Sequence, residues 1–238
     1  MQSWKKYLAE GIGTFVLTFV GCGVACLTGA NLVGTALAFG LSIVALAYIL
    51  GPISGCHINP AVSLAMFLNK KLSARDFGFY VLSQFVGGLV AGLALFLMTL
   101  YARHIGAAAL GANAIQTALM QGAGTKVTFA SWVAAFFVEA ILTGIFVLTV
   151  LGVTSKKENG PVGGLVIGGS LAFVHLLGLP LTGTSVNPAR SFGPALFALA
   201  NGETAPAIQL VIFLLAPAAG AAAAAMLYKY VLKAKDAE

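Results

Sequence analysis

Two Asn-Pro-Ala triplets, Asn59-Pro60-Ala61 and Asn187-Pro188-Ala189, stand 128 residues apart in this chain and constrain its fold more than any other feature. Asn is a preferred helix N-cap, and Pro suits the first helical position, where the missing N–H has no intrahelical partner anyway. Each triplet therefore reads as the start of a helix. The apolar runs behind them, Val62 to Phe67 and Phe192 to Leu199, fall short of the about 20 residues that a membrane crossing takes. A single Asn-Pro is no more than a turn signal. Two at matching places in an apolar chain point to paired half-helices in a membrane, with a binding or conduction site between them.

The rest of the chain supplies that membrane setting. Of its 238 residues, 59% are hydrophobic and 8% charged, against about 25% charged in a soluble domain. Six spans are expected, at about 7–27, 32–50, 77–101, 129–150, 162–179 and 206–231, with half-helices at 60–68 and 188–199. Lys5 and Lys6 precede the first apolar run as they would in a signal peptide. That run is too long for one, and Glu10 sits at its start, so it reads as a retained span. Three cysteines without paired spacing argue against a disulfide framework or a zinc site. No nucleophile–base–orienter set and no metal cluster stands out, so neither an enzyme nor a cofactor is expected.

The formal charge of +6 does not call for nucleic acid, because the cations sit between spans. Six spans place both termini on one side, with Lys5, Lys6, Lys70, Lys71, Arg75, Lys156, Lys157, Lys229, Lys233 and Lys235. The other side keeps only Arg103 and Lys126, which predicts cytoplasmic termini. Arg190 is left inside the second half-helix segment.

The two halves repeat. Glu10 precedes Asn59 by 49 residues, and Glu139 precedes Asn187 by 48. Each half holds three spans, an odd number, so the second enters from the opposite face. This predicts an all-α membrane protein with an inverted three-plus-three repeat. It is one domain over 1–238, with repeat 1 at about 1–101, a connecting segment at about 102–128 and repeat 2 at about 129–238. Gly87, Gly88, Gly92, Gly163, Gly164, Gly168 and Gly169 are expected to let helices approach closely.

With Ser54-Gly55-Cys56-His57 before the first triplet and Arg190 after the second, the chain resembles the major intrinsic proteins, that is, the aquaporins and glycerol facilitators. The resemblance covers nearly the whole chain, and its short tails are most similar to the bacterial aquaporin Z type. It implies a passive water channel in the cell membrane that excludes ions and protons. It also implies a homotetramer in the lipid bilayer with one pore per subunit. In the family a constriction is closed by the residues 20 before the first Asn, 12 and 3 before the second, and the Arg. Here these are Phe39, His175, Thr184 and Arg190. Glycerol facilitators typically place Trp, Gly and Phe there and an Asp after the Arg. This chain has Ser191, and both departures imply water over glycerol. A small-neutral-solute facilitator is the alternative, and a non-conducting junction protein a more distant one.

The physics beside that resemblance is specific. A helix N-terminus carries about half a positive charge and free N–H groups. Two such ends face to face repel cations. Each capping Asn spends its side-chain oxygen on its own helix, so its NH₂ is expected to donate into the lumen. The unwound stretches, Gly55, Cys56, His57 and Ile58 and then Gly183, Thr184, Ser185 and Val186, are expected to line it with carbonyls. Glu10 and Glu139 are expected to accept N–H groups of those loops, since a buried charge must be paired. His57 either bonds loop backbone or lines the lumen. Cys56 is expected to border the inner vestibule, open to mercury from that face; the alternative is a thiol turned into the protein. Cys22 and Cys26 are expected to pack, and His104 to be solvated.

Overall fold

The computed structural model of the protein describes residues 3–101, 109–119, 126–155 and 160–232. Arg103, His104, Lys156, Lys157, Glu158, Lys233 and Lys235 lie outside the described residues.

Among the described residues eight α-helices form. Six are long and apolar enough to cross a membrane. They are α1 (Ser3–Leu27), α2 (Leu32–Ser54), α4 (Ala74–Tyr101), α5 (Phe129–Val153), α6 (Gly160–Thr182) and α8 (Ala205–Leu227), the last running into a π-helical turn at Tyr228–Leu232. The half-helices are α3 (Pro60–Leu68) and α7 (Pro188–Ala200). Most long helices outrun their apolar stretches by two to four residues, because a polar turn can stay helical once it reaches the interface. α1 thus begins at Ser3, and Lys6 and Tyr7 on it meet Asp76 at the start of α4, at 3.7 and 2.8 Å.

The packing carries the repeat. α1 lies on α4 as α5 lies on α8; α4 holds α7 as α8 holds α3; α1 pairs with α2 as α5 pairs with α6; and α2 crosses α6. Exchanging α1–α4 for α5–α8 maps these pairings onto themselves, as a two-fold between inverted halves requires. The outer faces carry exposed Leu, Val, Ile and Phe, such as Leu41, Ile49, Leu82, Ile141, Leu177 and Ile208. Polar residues such as Glu10, Gln84, Glu139 and Arg190 are inside. That arrangement inverts a soluble protein and suits hydrocarbon as solvent.

Helix contacts of this closeness need bare backbone. A Cβ on Gly87 would run into the Gly11 carbonyl, on Gly88 into that of Ala189, and on Gly92 into the backbone of Gly193. α4 thus takes α1 on one side and α7 on the other through one glycine ladder. Gly40 and Gly168 close the α2–α6 crossing in the same way. Gly163 and Gly164 abut side chains of Val153 and Tyr48, whereas Gly169, expected to pack, faces open space.

These contacts predict opposite outcomes for one substitution type. Gly88→Ala will lower the melting temperature of detergent-solubilised protein or prevent its recovery. Gly169→Ala will leave it equal or raise it, by the about 1 kcal/mol that Ala gains over Gly in a helix. Thermal unfolding followed by size-exclusion chromatography distinguishes the two.

Candidate functional site

The two half-helices are entered through matching loops. α2 and α6 each carry a Pro in the last turn, Pro52 and Pro180, and each breaks at a glycine with positive φ, Gly55 at 87° and Gly183 at 73°. Three residues per loop then follow one pattern. Cys56 (φ 52°) and Ile58 (43°) in the first match Thr184 (44°) and Val186 (45°) in the second. Left-handed backbone costs an L-residue about 1–2 kcal/mol. For the β-branched Ile58, Thr184 and Val186 it is a genuine outlier.

A buried carboxylate holds each strained loop. Glu10 Oε1 accepts from the Ser54 hydroxyl at 2.6 Å and His57 N–H at 3.0 Å; Oε2 accepts from Ile58 N–H at 2.5 Å and Gln84 Nε2 at 2.8 Å. Glu139 accepts from the Thr182 hydroxyl at 2.6 Å, Ser185 N–H at 2.8 Å and Val186 N–H at 2.9 Å. Both acids are fully buried. Hydrogen bonds to a charged group contribute about 1.5–3 kcal/mol each, so each set offsets strain in its loop as well as the cost of burying the acid.

The half-helices meet through their caps. Asn59 Oδ1 accepts from Ala61 N–H at 2.8 Å, and Asn187 Oδ1 from Ala189 and Arg190 N–H at 3.1 and 3.2 Å. The amide nitrogens do more than face the lumen, which corrects the expectation of a wholly free NH₂. Asn59 Nδ2 donates to Val186 O at 2.7 Å and Asn187 Nδ2 to Ile58 O at 2.9 Å. Each cap thus ties its helix to the opposite loop, because the two loops bring their carbonyls within reach of the facing amide. Each NH₂ has a second N–H beyond that tie.

A narrow cavity runs past these groups. Its lining mixes apolar Leu17, Ile43, Phe146 and Leu171 with polar His57, Asn59, Ser185 and Asn187. His57 borders the cavity, and its ring bonds a side chain rather than loop backbone, with Nδ1 3.1 Å from Ser63 Oγ on α3. Of the loop residues, His57, Ser185 and Val186 are among those that line this cavity. The Ile58 and Gly183 carbonyls each accept one side-chain amide, from Asn187 and Asn113, which leaves each a second lone pair. The half-buried Cys56 packs against the apolar core. Thr184 is fully buried, with its hydroxyl against Gly178.

Phe39, His175 and Arg190 come together on the same cavity. The Phe39 and His175 rings stack with centroids 4.4 Å apart, and the Arg190 guanidinium lies 4.8 Å from the Phe39 centroid, a cation–π distance. Arg190 is 2% exposed. His175 Nδ1 lies 2.8 Å from Leu171 O. A carbonyl only accepts, so Nδ1 carries the proton and a neutral ring presents a bare Nε2. Among the described residues, that Nε2 and Arg190 Nε have no hydrogen-bond partner. One acceptor and one donor thus stand across a slot lined by an aromatic face.

Several residues that hold the site were not singled out from sequence. Ser54 and Thr182 share a readable signal, the repeated Pro-x-(Ser/Thr)-Gly before each triplet. Tyr80 donates to Ser54 O at 2.6 Å and Gln84 to Ser63 Oγ at 2.9 Å. Asn113 touches the second loop, Arg190 and Ser191 together. These three carry no spacing cue, since their partners lie 21 to 78 residues away.

The carboxylate scaffold predicts a graded series. Glu139→Gln will lower the melting temperature, because an amide turns an NH₂ toward N–H donors. Glu139→Leu will abolish a detergent-stable fold, and Glu203→Gln at an exposed site will change nothing; differential scanning fluorimetry reads all three.

The model of the major intrinsic protein family matches residues 1–228. The chain is 39% identical over 232 residues to Aquaporin Z of Rhodopseudomonas palustris, covering 94% of this chain and 92% of that one. It is 41% identical over 222 residues to Glycerol uptake facilitator protein-like 6 of Lactiplantibacillus plantarum, covering 93% and 95%. Its fold matches the X-ray structure of the aquaglyceroporin from Plasmodium falciparum with a TM-score of 0.80, at 21% identity and 98% coverage of both chains. The chain belongs to the major intrinsic protein family of membrane channels.

Proposed function

We propose that this protein is a passive, water-selective channel driven by osmotic gradients. One observation carries the reading: Phe39, His175 and Arg190 converge on a cavity that also borders Asn59 and Asn187. At that cluster a passing water donates to His175 Nε2 and accepts from Arg190. The apolar ring of Phe39 narrows the opening for anything with a carbon chain. Arg190, with the facing N-termini of α3 and α7, repels cations. Between the caps, the second N–H of Asn59 and of Asn187 donates to the oxygen of a passing water. Its hydrogens then point away along the file, which interrupts a proton relay. Thr184 backs this filter from the α6 side. The channel is a single domain over 1–238, with its repeats at about 1–101 and 129–238. It sits in the cell membrane with both termini cytoplasmic and works as a homotetramer without a cofactor.

A second reading, a glycerol or small-neutral-solute facilitator, draws on two observations. One relative at 41% identity carries a glycerol-facilitator name. The cavity lining also includes apolar Leu17, Ile43, Phe146 and Leu171.

Proteoliposomes decide between the two. Stopped-flow shrinkage in sucrose is expected to be fast, and re-swelling in glycerol slow. Glycerol entry as fast as in a glycerol-facilitator control overturns the water reading. In folded protein, replacing His175 and Arg190 together with small residues will admit larger neutral solutes and weaken cation exclusion. Unchanged solute and ion permeability removes both residues from the filter.

Mercury gives a separate check on Cys56. Cys56 is half-buried and packs against the apolar core. Sided proteoliposomes of wild type and Cys56→Ser are therefore expected to respond alike to mercuric ion from the inner face. A sensitivity that Cys56→Ser abolishes would put the thiol on the vestibule.

A further inference from the structure

The two halves of the pore are not held in the same way, and the difference falls on Arg190. In the first half the amide of Gln84 on α4 reaches Ser63 Oγ at 2.9 Å and Glu10 Oε2 at 2.8 Å. The two-fold fixes the matching position on α8. Gly87 closes on the carbonyl of the residue after Glu10, and Gly220 closes on that of Ala140, the residue after Glu139. Gln84, three before Gly87, therefore corresponds to Pro217, three before Gly220. Proline has no side-chain donor or acceptor, so α8 supplies no amide at the position that matches Gln84.

An amide is nevertheless there, and it comes from the segment joining the halves. Asn113 is 1% exposed. Its Oδ1 accepts from Arg190 Nη1 and from Ser191 Oγ, the latter at 2.7 Å. Its Nδ2 donates to Gly183 O at 2.8 Å. Ser191 stands where Ser63 stands in the first half and is 2.5 Å from Ser185 Oγ. The segment around Asn113 is pinned on three sides. Ile115 N–H donates to Gln209 Oε1 at 2.7 Å, Gln116 N–H donates to Leu181 O at 2.9 Å, and Gly111, at φ 64°, presses on Cys22.

We infer that Asn113 is a positioning residue for the pore, fixing the Arg190 guanidinium against the Phe39 ring and out of the water path. This rests on the proposed filter role of Arg190. Among the described residues, the holds on the guanidinium besides Asn113 are the Phe39 face and a 3.5 Å contact from Nη2 to Gly183 O. Arg carries about 2 kcal/mol of side-chain rotamer entropy, and those holds do not confine it to one rotamer. The freed group swings into a slot that passes one water at a time. The repeat alone thus leaves the outer filter incomplete, and the connecting segment finishes it.

The test uses the full chain in proteoliposomes and reads each variant against wild type. Asn113→Ala is expected to lower the osmotic water permeability per reconstituted channel several-fold and to raise its Arrhenius activation energy. Asn113→Asp keeps the acceptor toward Arg190 and Ser191 and nearly the same shape, gives up the Nδ2 donor to Gly183 O, and is expected to recover most of both values. If Asn113→Ala does not fold, Asn113→Ser, too short to span to Arg190, is read in its place with the same expectation. Wild-type permeability and activation energy in the short variant overturn the inference. So does an Asp variant as impaired as Ala, since that makes the contact structural only. Wild-type glycerol flux tests the water reading on its own, so the two can fail separately.

Discussion

Two buried carboxylates carry the architecture. Each loop between a long helix and a half-helix must reverse direction at mid-membrane, where no water meets its N–H groups. Its backbone adopts left-handed conformations at Ile58, Thr184 and Val186, which β-branched side chains resist. Glu10 and Glu139 resolve both problems together. They satisfy two consecutive N–H groups per loop and hold the strained conformation in place. The hydroxyls of Ser54 and Thr182 complete each acceptor set where the helix ends.

Once the loops are held, the caps can lock the halves. Asn59 and Asn187 each use the oxygen on their own helix and one N–H on the opposite loop. The reciprocal ties exist only if both loops are correct, so the middle of the pore forms as one unit. The glycine ladder on α4 brings α1 and α7 within backbone contact around it. The result is a polar file enclosed by apolar helices, which is the arrangement a membrane solvent demands.

Symmetry accounts for the first half of this scaffold more fully than the second. Tyr80 and Gln84 buttress the loop at His57 from within the repeat. Their counterparts on α8 include Pro217, and the amide at the second loop comes from Asn113, outside both repeats. The filter cluster therefore sits in the half whose geometry depends on the connecting segment. This departure from two-fold symmetry is consistent with a pore that has one narrow mouth.

Local physics made much of this legible in the residues alone. Apolar run length set the spans, Asn-Pro set the half-helix starts at Pro60 and Pro188, and the odd span count set the inverted halves. Glu10 and Glu139 could be assigned to loop support because a charge at that depth needs donors. What only the tertiary structure decided were contacts between residues far apart in the chain. The Asn59 amide bonds Val186, 127 residues away, and the Asn187 amide bonds Ile58, 129 away, rather than both facing only the lumen. Thr184 turns to Gly178, and Arg190 finds Asn113, 77 residues upstream. A capping preference fixes where a helix starts, but the free valence of a side chain is spent on whichever group the fold brings within 3 Å. No periodicity records that choice.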